Sequence, residues 1–96
     1  MGKVIGFEEI PVSTSPVGLS PSVYVPAQGS SAAKASITAE GGEMRYRIDG
    51  QDPTAASGHL LVDSNFLKLD DIYAIRNFRV IQAGVDAGKL TVTYES

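Results

Sequence analysis

The stretch ASITAEGGEMRYRIDGQDPTAASGHLL, Ala35 to Leu61, decides the fold. Ala33, Ala35, Ile37 and Ala39 fall on one side of an extended chain, and Lys34, Ser36 and Thr38 on the other. That period of two is the pattern of a half-buried strand. Gly41-Gly42 follows as a turn, because glycine accepts positive φ without a Cβ clash. A second strand begins at once, with Met44, Tyr46 and Ile48 alternating against Arg45, Arg47 and Asp49. Asp49-Gly50 ends it, and Asp52-Pro53 and Ser57-Gly58 carry a loop back toward the fold.

Outward from this stretch the same grammar recurs. Val4–Ile10 reads as a strand weakened at Gly6. Gly58–Val62 and Asn65–Leu69 read as short strands, and Asp70–Asn77 as a helical turn with Asp70 or Asp71 as its N-cap. Phe78–Gln82 is a further strand, Gly84–Gly88 a turn, and Lys89–Tyr94 a closing strand with Leu90, Val92 and Tyr94 opposite Thr91 and Thr93. The short connections favour antiparallel pairing. The expected fold is all-β: a small antiparallel β-sandwich or partly open barrel of about seven strands.

One segment breaks the pattern. Pro11, Pro16, Pro21 and Pro26 stand five residues apart among Ser, Val and small residues. Proline fixes φ, lacks the amide donor and biases its predecessor toward extended geometry. Pro11–Ser31 is therefore expected as an extended Pro-rich N-terminal arm. The chain divides into residues 1–31, an N-terminal strand plus arm, and residues 32–96, the β-sandwich core, within a single domain. On this partition residues 2–25 should be removable with the β-domain intact. Val12, Val17, Leu19, Val23, Tyr24 and Val25 dot the arm with apolar groups. They either cover their own domain or lie on a neighbouring subunit, and the second choice makes Val17, Leu19, Val23 and Tyr24 candidate partner-binding residues.

Composition narrows the function. The chain has 96 residues, a net charge of −3 and only eight Lys and Arg against eleven acids, which disfavours nucleic acid as a partner. No apolar run suits a membrane span, and no signal peptide is expected at Met1–Ile10. Met1-Gly2 lacks the Ser or Thr at position 6 that myristoylation needs. With no cysteine there is neither a disulfide nor a thiolate metal site, and small unstapled domains often gain stability by oligomerising.

No reactive constellation is legible. His59 is the single histidine, too few nitrogen ligands for zinc. Asp49, Gly50 and Asp52 only superficially resemble a calcium loop, and Asx-turn chemistry explains the two carboxylates. Asp63, Asp70 and Asp71 read as solvated acids. There is no GxSxG elbow, no SxxK and no glycine-rich phosphate loop. The expectation is a non-enzymatic chain with no catalytic residue, no metal and no cofactor. Arg45 and Arg47 share a strand face and are candidates either for pairing with acids on an adjacent strand or for docking an acidic partner.

From Ala35 to Tyr94 the chain resembles small structural proteins of tailed bacteriophages. The matching positions are Arg45-Tyr46-Arg47, Asp49-Gly50, Pro53-Thr54-Ala55, Gly58, Leu60, Phe78-Arg79, Ile81 and Leu90–Tyr94. The resemblance implies a virion component of β-sandwich type, foremost a head decoration or cement protein. Its expected partner is the major capsid protein, with a homo-oligomer (dimer or trimer) also expected. Its expected place is the capsid surface, after synthesis in the host cytoplasm. A neck or tail adaptor or fibre-associated module is the alternative, and a carbohydrate-binding module a weaker one, since the chain has no Trp to stack a sugar.

Overall fold

The structure is a computed structural model that describes residues 3–25 and 31–96. In chain order the elements are β1 (Val4–Val12), β2 (Val17–Gly18), α1 (Pro21–Tyr24), β3 (Lys34–Glu40), β4 (Met44–Arg47), β5 (His59–Leu61), β6 (Phe66–Leu69), α2 (Ile72–Asn77), β7 (Arg79–Gln82) and β8 (Gly88–Glu95). Strand makes up 48% of the described residues against 11% helix, so the all-β expectation holds. The strands form two antiparallel four-stranded sheets, ordered β1-β8-β3-β6 and β2-β7-β4-β5. The sheets do not close, which makes the fold a sandwich rather than a barrel. The two-residue β2 was not legible as a strand in the sequence.

Alternation builds the core. Ala35, Ile37 and Ala39 of β3 and Leu90, Val92 and Tyr94 of β8 are completely buried and share one core with Met44 and Val80 of the other sheet and with Phe78, which precedes β7. Each large side chain withdrawn from water contributes about 1.5–3 kcal/mol. The Gly41-Gly42 turn is dictated by its surroundings as well as by φ, which is +95° at Gly41. A Cβ at Gly42 would lie 2.0 Å from the Asp86 carbonyl oxygen, so the β3–β4 and β7–β8 turns touch backbone to backbone. At α2 the cap is Asp71, whose Oδ1 accepts the Ala74 amide at 2.8 Å.

The Pro11–Ser31 segment is described in part, residues 26–30 lying outside the described residues. Pro11 and Val12 complete β1, which pairs with β8 from Val4↔Glu95 to Val12↔Gly88 with a shift between Val4 and Gly6. An edge strand tolerates Pro11, because the missing amide can face away from the ladder. The chain then crosses to the second sheet, where Val17 pairs with Val80. Removing residues 2–25 would therefore strip a nine-residue strand and the buried Ile10, Val12, Leu19 and Tyr24 from the domain. The expectation that the remainder would stay folded fails for that reason.

Candidate interaction surfaces

The two arginines of β4 stand on the outer side of the second sheet, where a loop, residues 48–58, folds back over them. Arg45 is half-buried. Its Nη1 donates to the Gly58 carbonyl at 2.9 Å, and its Nε is buried without a hydrogen-bond partner. A Cβ at Gly58 would lie 3.1 Å from the Tyr46 carbonyl oxygen, 3.2 Å from Pro53 Cβ and 3.3 Å from Arg45 Cβ. Strand, loop and arginine stem thus converge at residue 58, and Pro53 is fully buried there. On the neighbouring strand, Arg79 Nε donates to Asp52 Oδ1 at 3.0 Å, tying the loop to β7. A bridge between Thr54 and Ser57 tightens its tip.

Arg47 pairs with Asp49 two residues further along the chain rather than with an adjacent strand. Its Nε donates to Oδ1 at 3.0 Å and its Nη2 to Oδ2. This hydrogen bond raises the Arg47 pKa and holds that of Asp49 below its ordinary value. Asp49 Oδ1 also accepts the Gln51 amide at 3.2 Å, an Asx turn. Beside this pair an open recess of about 410 Å³ is lined by Arg47, Ile48, Asp49, Ser57, Gly58 and His59. The His59 ring lies 5.2 Å from that of Tyr46.

Among the described residues no hydrogen bond joins Ser57 to His59, and no group of three His, Asp or Glu side chains is placed to hold a metal ion. The recess offers a cation, a carboxylate and apolar walls next to the outer edge of β5.

The apolar candidates of the N-terminal segment have different positions. Leu19 and Tyr24 are buried in the chain's own core, and Val17 and Val23 pack against it. The structure thus keeps these four together, far from β4 in chain order, while Arg45 and Arg47 form a separate group with the 48–58 loop. The segment is held by Glu8, which no local pattern along the chain singles out. One carboxylate accepts the Ser20 amide at 3.2 Å, the Ser20 hydroxyl at 2.6 Å and the Tyr94 hydroxyl at 2.5 Å. Burial, reinforced by this bond to Glu8, pushes the Tyr94 phenol well above its ordinary pKa. The Tyr24 ring completes the cluster, 5.9 Å from that of Tyr94.

Exposed large apolar groups lie elsewhere. Leu60 on the edge strand β5, Phe66 on the edge strand β6 and Phe7 on the edge strand β1 are each more than half exposed. Period-two reading of β1 and β6 would have flagged both phenylalanines as outward. No protein family, curated protein or solved structure matches the chain.

Proposed function

We propose that the chain is a non-enzymatic virion structural protein, a capsid decoration or cement protein that binds and stabilises the assembled major capsid shell. The observation that carries this reading is the behaviour of the phage-like positions. Arg45-Tyr46-Arg47, Asp49-Gly50, Pro53-Thr54-Ala55, Gly58 and Leu60 form one continuous unit, a strand, the loop packed over it and the returning edge strand. The unit ends in the Arg47 recess beside Ile48, Leu60 and the outer edge of β5, which pairs with no further strand among the described residues.

Contact with the capsid is assigned to that recess and edge. Leu19 and Tyr24 are spent inside the core, and Arg45 is engaged by Gly58. An extended capsid segment could add to β5, with main-chain hydrogen bonds giving affinity and Leu60 and Arg47 giving selectivity. Binding to the assembled shell but not to free subunits stabilises the shell by mass action, and repeated sites add avidity.

The test is copy number in purified particles of the parent virus, by quantitative mass spectrometry against the major capsid protein. A fixed, large ratio to capsid subunits is the expected result. A handful of copies per particle would move the protein to the neck or tail, and absence from the particle would overturn the reading.

A further inference from the structure

We propose that the outer face of the β1-β8-β3-β6 sheet is a self-association surface whose occupant is a second copy of this chain, stacked face to face. This inference does not rest on the capsid reading.

The register defines the face. Its four rows, read across β1, β8, β3 and β6, begin with Val4, Glu95 and Lys34. The next is Phe7, Thr93, Ser36 and Lys68, and the third Glu9, Thr91, Thr38 and Phe66. The last is Pro11, Lys89 and Glu40. Every inward neighbour along β8 and β3 belongs to the core, so these residues point to solvent. Three features set the face apart from an ordinary solvated one.

Its middle is a patch of four hydroxyl residues with no charge. Its two edge strands carry Phe7 at 57% and Phe66 at 64% exposure, in the second and third rows. Its charges balance: three of the chain's four lysines (Lys34, Lys68 and Lys89) stand with Glu9, Glu40 and Glu95, on a molecule whose net charge is −3.

The arrangement of those charges is what identifies the occupant. At the end of β8 and β3 near Glu95 the signs run negative then positive, and at the other end, Lys89 and Glu40, positive then negative. This is a quadrupole. When two copies stack about a two-fold axis lying in the plane of the face, these four charges of β8 and β3 meet opposite signs, and Glu9 and Lys68 fall opposite the two phenylalanines. An axis along the strands sets Lys89 against Glu40 and Glu95 against Lys34 of the second copy. An axis across the strands sets Glu95 against Lys89 and Lys34 against Glu40. A two-fold contact must be self-complementary, and complementary charge fixes its register while suppressing other partners.

Within one copy, Lys89 Nζ already stands 3.3 Å from Glu9 and 3.6 Å from Glu40, and Thr91 Oγ1 donates to Glu40 at 3.0 Å. The charged groups are therefore oriented before association. Four strands and four rows of side chains cover roughly 500 Å² per copy. A total near 1,000 Å² falls at the weak end of specific interfaces, so the dimer should dissociate in the micromolar range.

The experiment is sedimentation equilibrium over about 1–500 µM, on the full chain and on two charge-neutral double variants. Lys34→Glu with Glu40→Lys destroys complementarity about the axis along the strands and preserves it about the other. Lys34→Glu with Glu95→Lys does the reverse. Far-UV circular dichroism and thermal melts verify that each variant is folded. Phe7→Ser and Phe66→Ser, both outward on edge strands, replace any double variant that does not fold, and each should weaken the dimer. The expected result is a reversible dimer that one double variant, and only one, weakens by about tenfold or more. A monomer across the whole range overturns the proposal, as does a dimer that both folded double variants lose, that both retain, or that ignores both phenylalanine changes.

Discussion

The two sheets of the sandwich treat their outer faces in opposite ways. The β1-β8-β3-β6 sheet has long strands, of nine, eight and seven residues in β1, β8 and β3, and no loop among the described residues covers its outer face. The β2-β7-β4-β5 sheet has strands of only two to four residues. It is covered outside by the 48–58 loop, through Pro53, the Asp52–Arg79 pair and the Arg45–Gly58 bond. Short strands bury little on one face and make few ladder hydrogen bonds, so a second layer of contacts holds them in place. Long strands with a complete inner face need no such cover, and their outer side is free for another molecule.

The contrast can be broken first at Phe78, which is fully buried and stacks on Tyr46 with ring centroids 5.6 Å apart. Phe78→Ala should cost about 3–5 kcal/mol in urea unfolding. Amide exchange should then quicken in β4 and β5 before β3 and β8. Equal acceleration in both sheets would mean that the short-stranded sheet has no separate dependence on its packing.

Tyr94→Phe comes next, at about 1.5–3 kcal/mol near neutral pH, because Glu8 loses a donor while remaining half-buried. The sign of the pH effect follows from the raised phenol pKa. The folded state holds this proton more tightly than the unfolded state, whose tyrosine ionises near 10. Stability from this group is complete below pH 10 and falls as pH rises beyond it. Tyr94→Phe should flatten the alkaline limb of a stability–pH curve, and an unchanged limb would remove Tyr94 from that role.

Pro53→Gly should cost about 1–2 kcal/mol, through lost burial and added freedom in the unfolded chain. Its counterpart on the bare face, Thr93→Ala, should stay within about 0.5 kcal/mol for the monomer. Thermal melts at low concentration compare the two directly, and similar costs would erase the difference between covered and bare faces.

The sheet interior was legible because its signals are local. Alternation in Ala33–Ala39 and Leu90–Tyr94 locates β3 and β8, Gly41-Gly42 locates the β3–β4 turn, and the pattern narrows the capping carboxylate to Asp70 or Asp71. What escaped depends on partners distant in sequence. Glu8 gains its meaning from Ser20 and Tyr94, 12 and 86 residues away. Arg45 is engaged by a carbonyl 13 residues on. Pro11 looked like the end of a strand because its tolerance depends on β1 being at the sheet's edge, a property of topology. The six residues first singled out for a partner were chosen by type, and type alone does not show that Leu19 and Tyr24 face inward.

The most direct test of the contrast is hydroxyl-radical footprinting of the free protein across a concentration series, read at Phe7 and Phe66 on the bare face and at Ile48 and Leu60 beside the covered one. Loss of labelling at the two phenylalanines as concentration rises, with Ile48 and Leu60 unchanged, is the predicted result. Protection of Ile48 and Leu60 with Phe7 and Phe66 still fully labelled would contradict it and place self-association on the other sheet.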